Sequence, residues 1–143
     1  QHIKHHDVTF VAISRGKLAD LQAYKKRMGW QFDLISSYGS DFNYDHHVSF
    51  TKEDMASGEL TYNFEKIDAK DGYEELPGIS VFYRDAAGDI FHTYSSYARG
   101  GDILIGAHNF LDLTPKGRNE AGTMNWMKRH DEYETDGTSC CHS

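Results

Sequence analysis

The chain has 143 residues and a mass of 16.3 kDa, the size of one domain able to bury roughly two-thirds of its unfolded surface. Fifteen Lys and Arg stand against 22 Asp and Glu, a net charge of −7, which leaves no basic face to condense on phosphates and disfavours non-specific nucleic-acid binding. Nine Tyr, eight Phe and two Trp supply burial beyond what the 38% apolar fraction suggests, so the chain folds, and no apolar window reaches the roughly 18 residues a membrane-spanning helix needs.

The run Val8-Thr9-Phe10-Val11-Ala12-Ile13 is short, continuous and β-branched, the pattern of a central strand buried on both faces. After Ser14-Arg15-Gly16, residues Leu18, Leu21, Tyr24 and Met28 recur at near-helical spacing until Gly29, a natural residue beyond a helix end. Trp30 to Phe50 is aromatic and polar and reads as structured loop. Residues 51–75 hold eight acids and three lysines, a net −5, and read as a solvated excursion with a short strand at Leu60 to Phe64. Past Leu76-Pro77-Gly78, Ile79 to Arg84 and Ile90 to Tyr94 form an antiparallel hairpin around Asp85-Ala86-Ala87-Gly88-Asp89. Asp102 is placed to cap a helix whose stripe Ile103, Leu104, Ala107, Phe110 and Leu111 packs on that hairpin. Thr114-Pro115-Lys116-Gly117 ends it, Met124, Trp126 and Met127 suggest one more short helix, and 131–143 is a polar tail after a domain spanning 1–130.

Arg15 follows the carboxyl end of the first strand, the usual ligand side of an open α/β sheet, and is a candidate anion ligand. Asp41, Tyr44, Asp45 and His46 group acid, phenol and imidazole in the aromatic loop; they either line a pocket able to move a proton or belong to a loop of Asx turns with its tyrosines packed on the sheet, and Tyr38, Asp41, Tyr44 and His46 are candidate substrate-binding residues. His2, His5 and His6 share one face if helical, but lack a partner Cys or Glu at standard spacing, so no metal and no cofactor are expected. Cys140 and Cys141 are the only cysteines, too few for a disulfide framework, which points to a reducing compartment, the cytoplasm. Neighbouring Cα atoms sit about 3.8 Å apart, below the roughly 4.4 Å of ordinary disulfides, so a bridge between them is strained and easily reduced. Such a pair exchanges thiols, grips a soft metal together with His142, or does neither on a silent tail.

Five local strings are more specific than element order: Val8 to Arg15, Tyr24 to Trp30, Ser36 to Asp45, Leu76 to Asp85 and Leu111 to Arg118. Together they resemble a bacterial thioredoxin-like family of unknown function whose members are described as predicted dithiol-disulfide oxidoreductases. The resemblance implies a three-layer α/β fold with a central sheet and a C-terminal antiparallel hairpin, here lacking its first strand and helix. It implies a cis Pro77 facing the redox cysteines, where the residue alone reads equally as a trans proline starting an edge strand. The family's paired cysteines lie in an N-terminal section that this chain does not contain, and Gln1 without a leader reads as a processed chain, a fragment or one missing its start. The implied function is thiol-disulfide exchange on a protein or small-molecule disulfide; a non-catalytic module using the Tyr38 to His46 loop to hold a ligand or partner is the alternative. An open sheet edge predicts a homo-oligomer.

Overall fold

The computed structural model describes residues 3–133. His2, Cys140, Cys141 and His142 lie outside the described residues. Strand β1 (Val11–Ser14) leads into helix α1 (Leu18–Met28) and returns in β2 (Asp33–Ser36), which pairs with β1 in parallel from Val11 opposite Asp33 to Ser14 opposite Ser36. Helix α1 closes as its sequence predicts. Gly29 takes φ 64°, its N–H donates to Lys26 O, and Trp30 N–H donates to Lys25 O, a doubly bonded left-handed cap. The strand β2 lies inside the stretch expected to be loop, because four residues with alternating exposure carry too little pattern to stand out.

One turn of helix, α2 (Phe42–Asp45), precedes α3 (Lys52–Ser57), which opens with a reciprocal cap: Thr51 Oγ1 accepts from Asp54 N–H and the Asp54 carboxylate accepts from Thr51 N–H. The antiparallel pair β3 (Glu59–Tyr62) and β4 (Glu65–Asp68) follows. The expected short strand at Leu60 to Phe64 overlaps β3, and this acidic segment is more than a solvated excursion: Leu60, Tyr62 and Ala69 supply half of the buried core cluster. Leu60 is 1% exposed and packs with Tyr62, Ala69, Val48, Phe50 and Tyr97, while the acids occupy the outward positions between. The hairpin β5 (Gly78–Arg84) and β6 (Ile90–Tyr97) is observed as predicted and slightly longer. Gly78 is held there by crowding, since a Cβ would lie 2.7 Å from Val48 Cγ1.

Three expectations are corrected. Among the described residues the single central sheet is replaced by three two-stranded sheets in a mixed α/β chain, so β1 there pairs with β2 alone, and Val8 and Phe10 are exposed instead of buried. The helix expected from Ile103 divides into a 3-10 stretch at Ala98–Leu104 and α4 (Gly106–Asp112). Its apolar stripe faces outward, Ile103 71% and Phe110 75% exposed, and Asp102 pairs with Arg118 and Arg99 instead of capping. Residues 123–126 form a turn, after bends at 121–122, in place of a last helix. Among the described residues no helix is long and apolar enough to cross a membrane.

Candidate functional site

Arg15 is fixed from both strands of the parallel pair. Ser36 Oγ donates to Gly16 O at 2.7 Å, Gly16 N–H donates to Ser14 Oγ at 3.2 Å, and Ser37 N–H donates to Ser14 O at 2.9 Å, which clamps the loop around Arg15 to the end of β2. The Arg15 guanidinium stacks over the Tyr44 ring, 4.8 Å from its centroid, and reaches Glu75 at 3.4 Å. Tyr44 is presented by α2, whose turn is anchored where Ser37 Oγ donates to Asn43 Oδ1 at 2.7 Å and where Val48 and Ser49 N–H both donate to Asn43 O.

Below these two side chains opens a cleft of about 580 Å³. Buried Phe50 and the flank of Met55 form an apolar floor, with Lys52 and Glu74 at the rim. The floor exists because residues 48–50 run antiparallel to 74–76: Phe50 N–H donates to Glu74 O and Leu76 N–H to Val48 O, around a bridge between Ser49 and Glu75. Two cations and one carboxylate on the rim above an aromatic and thioether floor suit a small anion with an apolar body.

The sequence candidates do not all meet here. Arg15 and Tyr44 do. Asp41 stands exposed at the start of α2 with no side-chain cap bond, and Tyr38 is 63% exposed with the Lys17 ammonium 5.8 Å from its ring centroid. His46 leaves the cleft and packs on the hairpin. Pro77 is likewise apart, and its peptide bond with Leu76 is trans, which corrects the cis bond the resemblance implied; the Pro77 carbonyl accepts from Tyr62 Oη at 2.7 Å. The cleft residues Phe50, Lys52 and Glu74 carry no local signal, because their meeting depends on the pairing of two distant segments.

His46 belongs to a second cluster, on one face of the hairpin. The pairing of β5 with β6 slips at Val81 and Phe82, so that Val81 faces Tyr94 while Phe82 faces His92, leaving Thr93 as an extra residue. That bulge turns His92 and Ser95 to the same side. His92 Nε2 lies 2.8 Å from Ser95 Oγ and 3.1 Å from Tyr94 O; a carbonyl only accepts, which favours the tautomer with the proton on Nε2. The His46 ring stands 5.3 Å from that of His92 at 86°, with Phe42 at 4.5 Å and Phe82 at 5.8 Å, and its Nδ1 is 3.4 Å from Ser80 Oγ. Burial pushes the His46 imidazole below its ordinary value, and the neighbouring His92 adds to the effect. No three His, Cys, Asp or Glu side chains among the described residues are grouped to hold a metal ion.

A larger groove of about 640 Å³ separates α1 from residues 124–132, lined by Tyr24, Met28, Trp30 and Met127. Of its lining side chains, Arg129 is engaged by Glu132 at 2.7 Å and by Tyr24 Oη at 3.0 Å, and the contact of α1 with this segment is continued by the ion pair of Arg27 with Asp131.

Residues 1–133 match the model of a family described as "bacterial protein of unknown function", DUF899. The chain belongs to this family. Neither the curated proteins nor the solved structures contain a match to it.

Proposed function

We propose that this domain is a ligand-binding module that holds a small carboxylate with an apolar body in the cleft at the carboxyl end of β1. The observation that supports the reading is Arg15: its guanidinium is positioned by the Tyr44 ring, and its one ion pair among the described residues is the 3.4 Å contact to half-exposed Glu75. Arg15 lines the cleft, where Phe50 and Met55 receive the apolar part and Lys52 completes the charge match. Calorimetric titration with benzoate, phenylacetate and inorganic phosphate tests it. The aromatic carboxylates bind and phosphate binds more weakly, and Arg15→Ala lowers carboxylate affinity roughly 10- to 100-fold, the loss of charge-assisted hydrogen bonds. Absence of binding by every probe, or equal affinity in the variant, overturns the reading.

A second reading is thiol-disulfide exchange: the thiolate of Cys140 or Cys141 attacks one sulfur of a substrate disulfide, expelling the other sulfur as a thiolate and forming a mixed disulfide. The neighbouring cysteine thiolate then attacks the protein sulfur of that bond, expelling the second substrate thiolate and leaving a Cys140–Cys141 disulfide, so the pair is oxidised by two electrons as the substrate is reduced. The order of a parallel β1–α1–β2 unit, an antiparallel hairpin and a closing helix favours it, together with the local strings shared with predicted oxidoreductases. In that reading the protein works in the cytoplasm, and a second copy covers the open edge of β1. Reduction of insulin by the chain that disappears in Cys140→Ser, Cys141→Ser supports it; no reduction by the unaltered chain sinks it.

A further inference from the structure

The segment 42–46 has two sides with different tasks. Tyr44 lies beneath Arg15 in the cleft, while His46, two residues on, lies against the hairpin between Phe42, Phe82 and His92. One turn of helix is too short to hold itself together, so its position is set by what its two sides touch. On the hairpin side the contact is a perpendicular pair of imidazoles, the Phe82 and His92 rings being stacked 4.9 Å apart beneath His46.

We propose that His46 and His92 form a proton-operated latch: neutral, they dock α2 on the hairpin and keep Tyr44 under Arg15; protonated together, they repel, free α2 and withdraw Tyr44 from the cleft. The proposal rests on the cleft being the ligand site and adds its regulation. Charged or titratable neighbours do not cancel the repulsion. From β6 the group facing His46 is His92; from β5 it meets Ser80 and Phe82, which carry no charge. On its own segment, Asp45 favours the charged form and His47 opposes it. The lowered proton affinity of His46 is the electrostatic counterpart of this packing. Histidine is the side chain whose ordinary charge change falls between about pH 5 and pH 8, which makes imidazoles the groups suited to such a latch.

The experiment is an NMR titration of the full chain from about pH 7.5 to about pH 5, following the histidine and Tyr44 ring signals, with benzoate affinity measured at both ends. The Tyr44 signals are expected to move with the two imidazoles, and benzoate affinity to fall about tenfold, the linkage expected of a one-unit difference in proton affinity between the two states. His92→Phe, which keeps the stacked ring, removes both pH dependences and leaves affinity near neutrality unchanged; His46→Phe does the same if the first variant fails to fold. Tyr44 signals that stay still while the histidines titrate, or benzoate affinity equal at both ends, overturn the latch and leave the cleft standing. Benzoate that binds at neither end, with Tyr44 still following the histidines, overturns the cleft and leaves the latch standing.

Discussion

His108 is the most completely buried polar side chain described, 1% exposed on α4 beside the Trp126 ring, and neither ring nitrogen meets a hydrogen-bond partner among the described residues. An orphaned imidazole costs its desolvation without return, whereas an apolar ring of similar shape does not. His108→Phe is therefore expected to raise unfolding free energy by about 1–3 kcal/mol in urea titration. A destabilised variant would mean that the imidazole is paired in solution. The same residue shows what periodicity cannot decide: Ile103 and Phe110 mark a helical stripe, but the buried position of α4 belongs to a histidine that the stripe skips.

Elements here are joined by single polar contacts as much as by packing. Tyr62, the last residue of β3, donates to Pro77 O at 2.7 Å and accepts from Ala98 N–H at 2.8 Å, so one phenol connects the acidic segment to both ends of the hairpin unit. Burial raises its ionisation well into the alkaline range, keeping the donor proton in place. Tyr62→Phe keeps the ring contact with Tyr97 and removes both hydrogen bonds, an expected loss of about 1–3 kcal/mol by thermal or denaturant unfolding. An unchanged midpoint would show that the two bonds exchange freely with water. Helix α1 and the hairpin were legible because apolar spacing, Gly29 and the Asp85–Asp89 turn are local signals. The bulge that brings Ser95 beside His92 was not, since one extra residue in a strand leaves no mark in composition.

Across the whole molecule, acid stability follows from groups whose proton affinity the fold lowers. Asp102 and Asp112 share the Arg118 guanidinium, Asp131 pairs with Arg27, Glu132 with Arg129, and Asp54 accepts from Thr51; each sits below its ordinary value, chiefly through those hydrogen bonds. A lowered folded value means that the unfolded chain takes up protons first as pH falls. The carboxylate contribution is thus complete above the ordinary values of 4.5 for Glu and 3.8 for Asp and drains away below them. His46 obeys the same sign and begins to drain below its ordinary 6.5. Melting temperature against pH should therefore fall in two stages, a shallow one below about pH 6.5 and a steeper one below about pH 4.5. A single acid limb with a flat plateau down to pH 4.5 would contradict the His46 assignment.

The amino-acid order by itself determined the hairpin, helix α1 with its glycine end, and Arg15 at the mouth of a parallel strand. These rest on interactions within a few residues. It also carried the family likeness, through short strings that need no tertiary context. Only the tertiary structure decided that Leu60 and Tyr62 of the acidic segment form the core, that Pro77 is trans, and that Tyr44 and His46 face different sites. Each of those outcomes depends on which distant surfaces meet, and burial is a property of the meeting, not of the residues that take part.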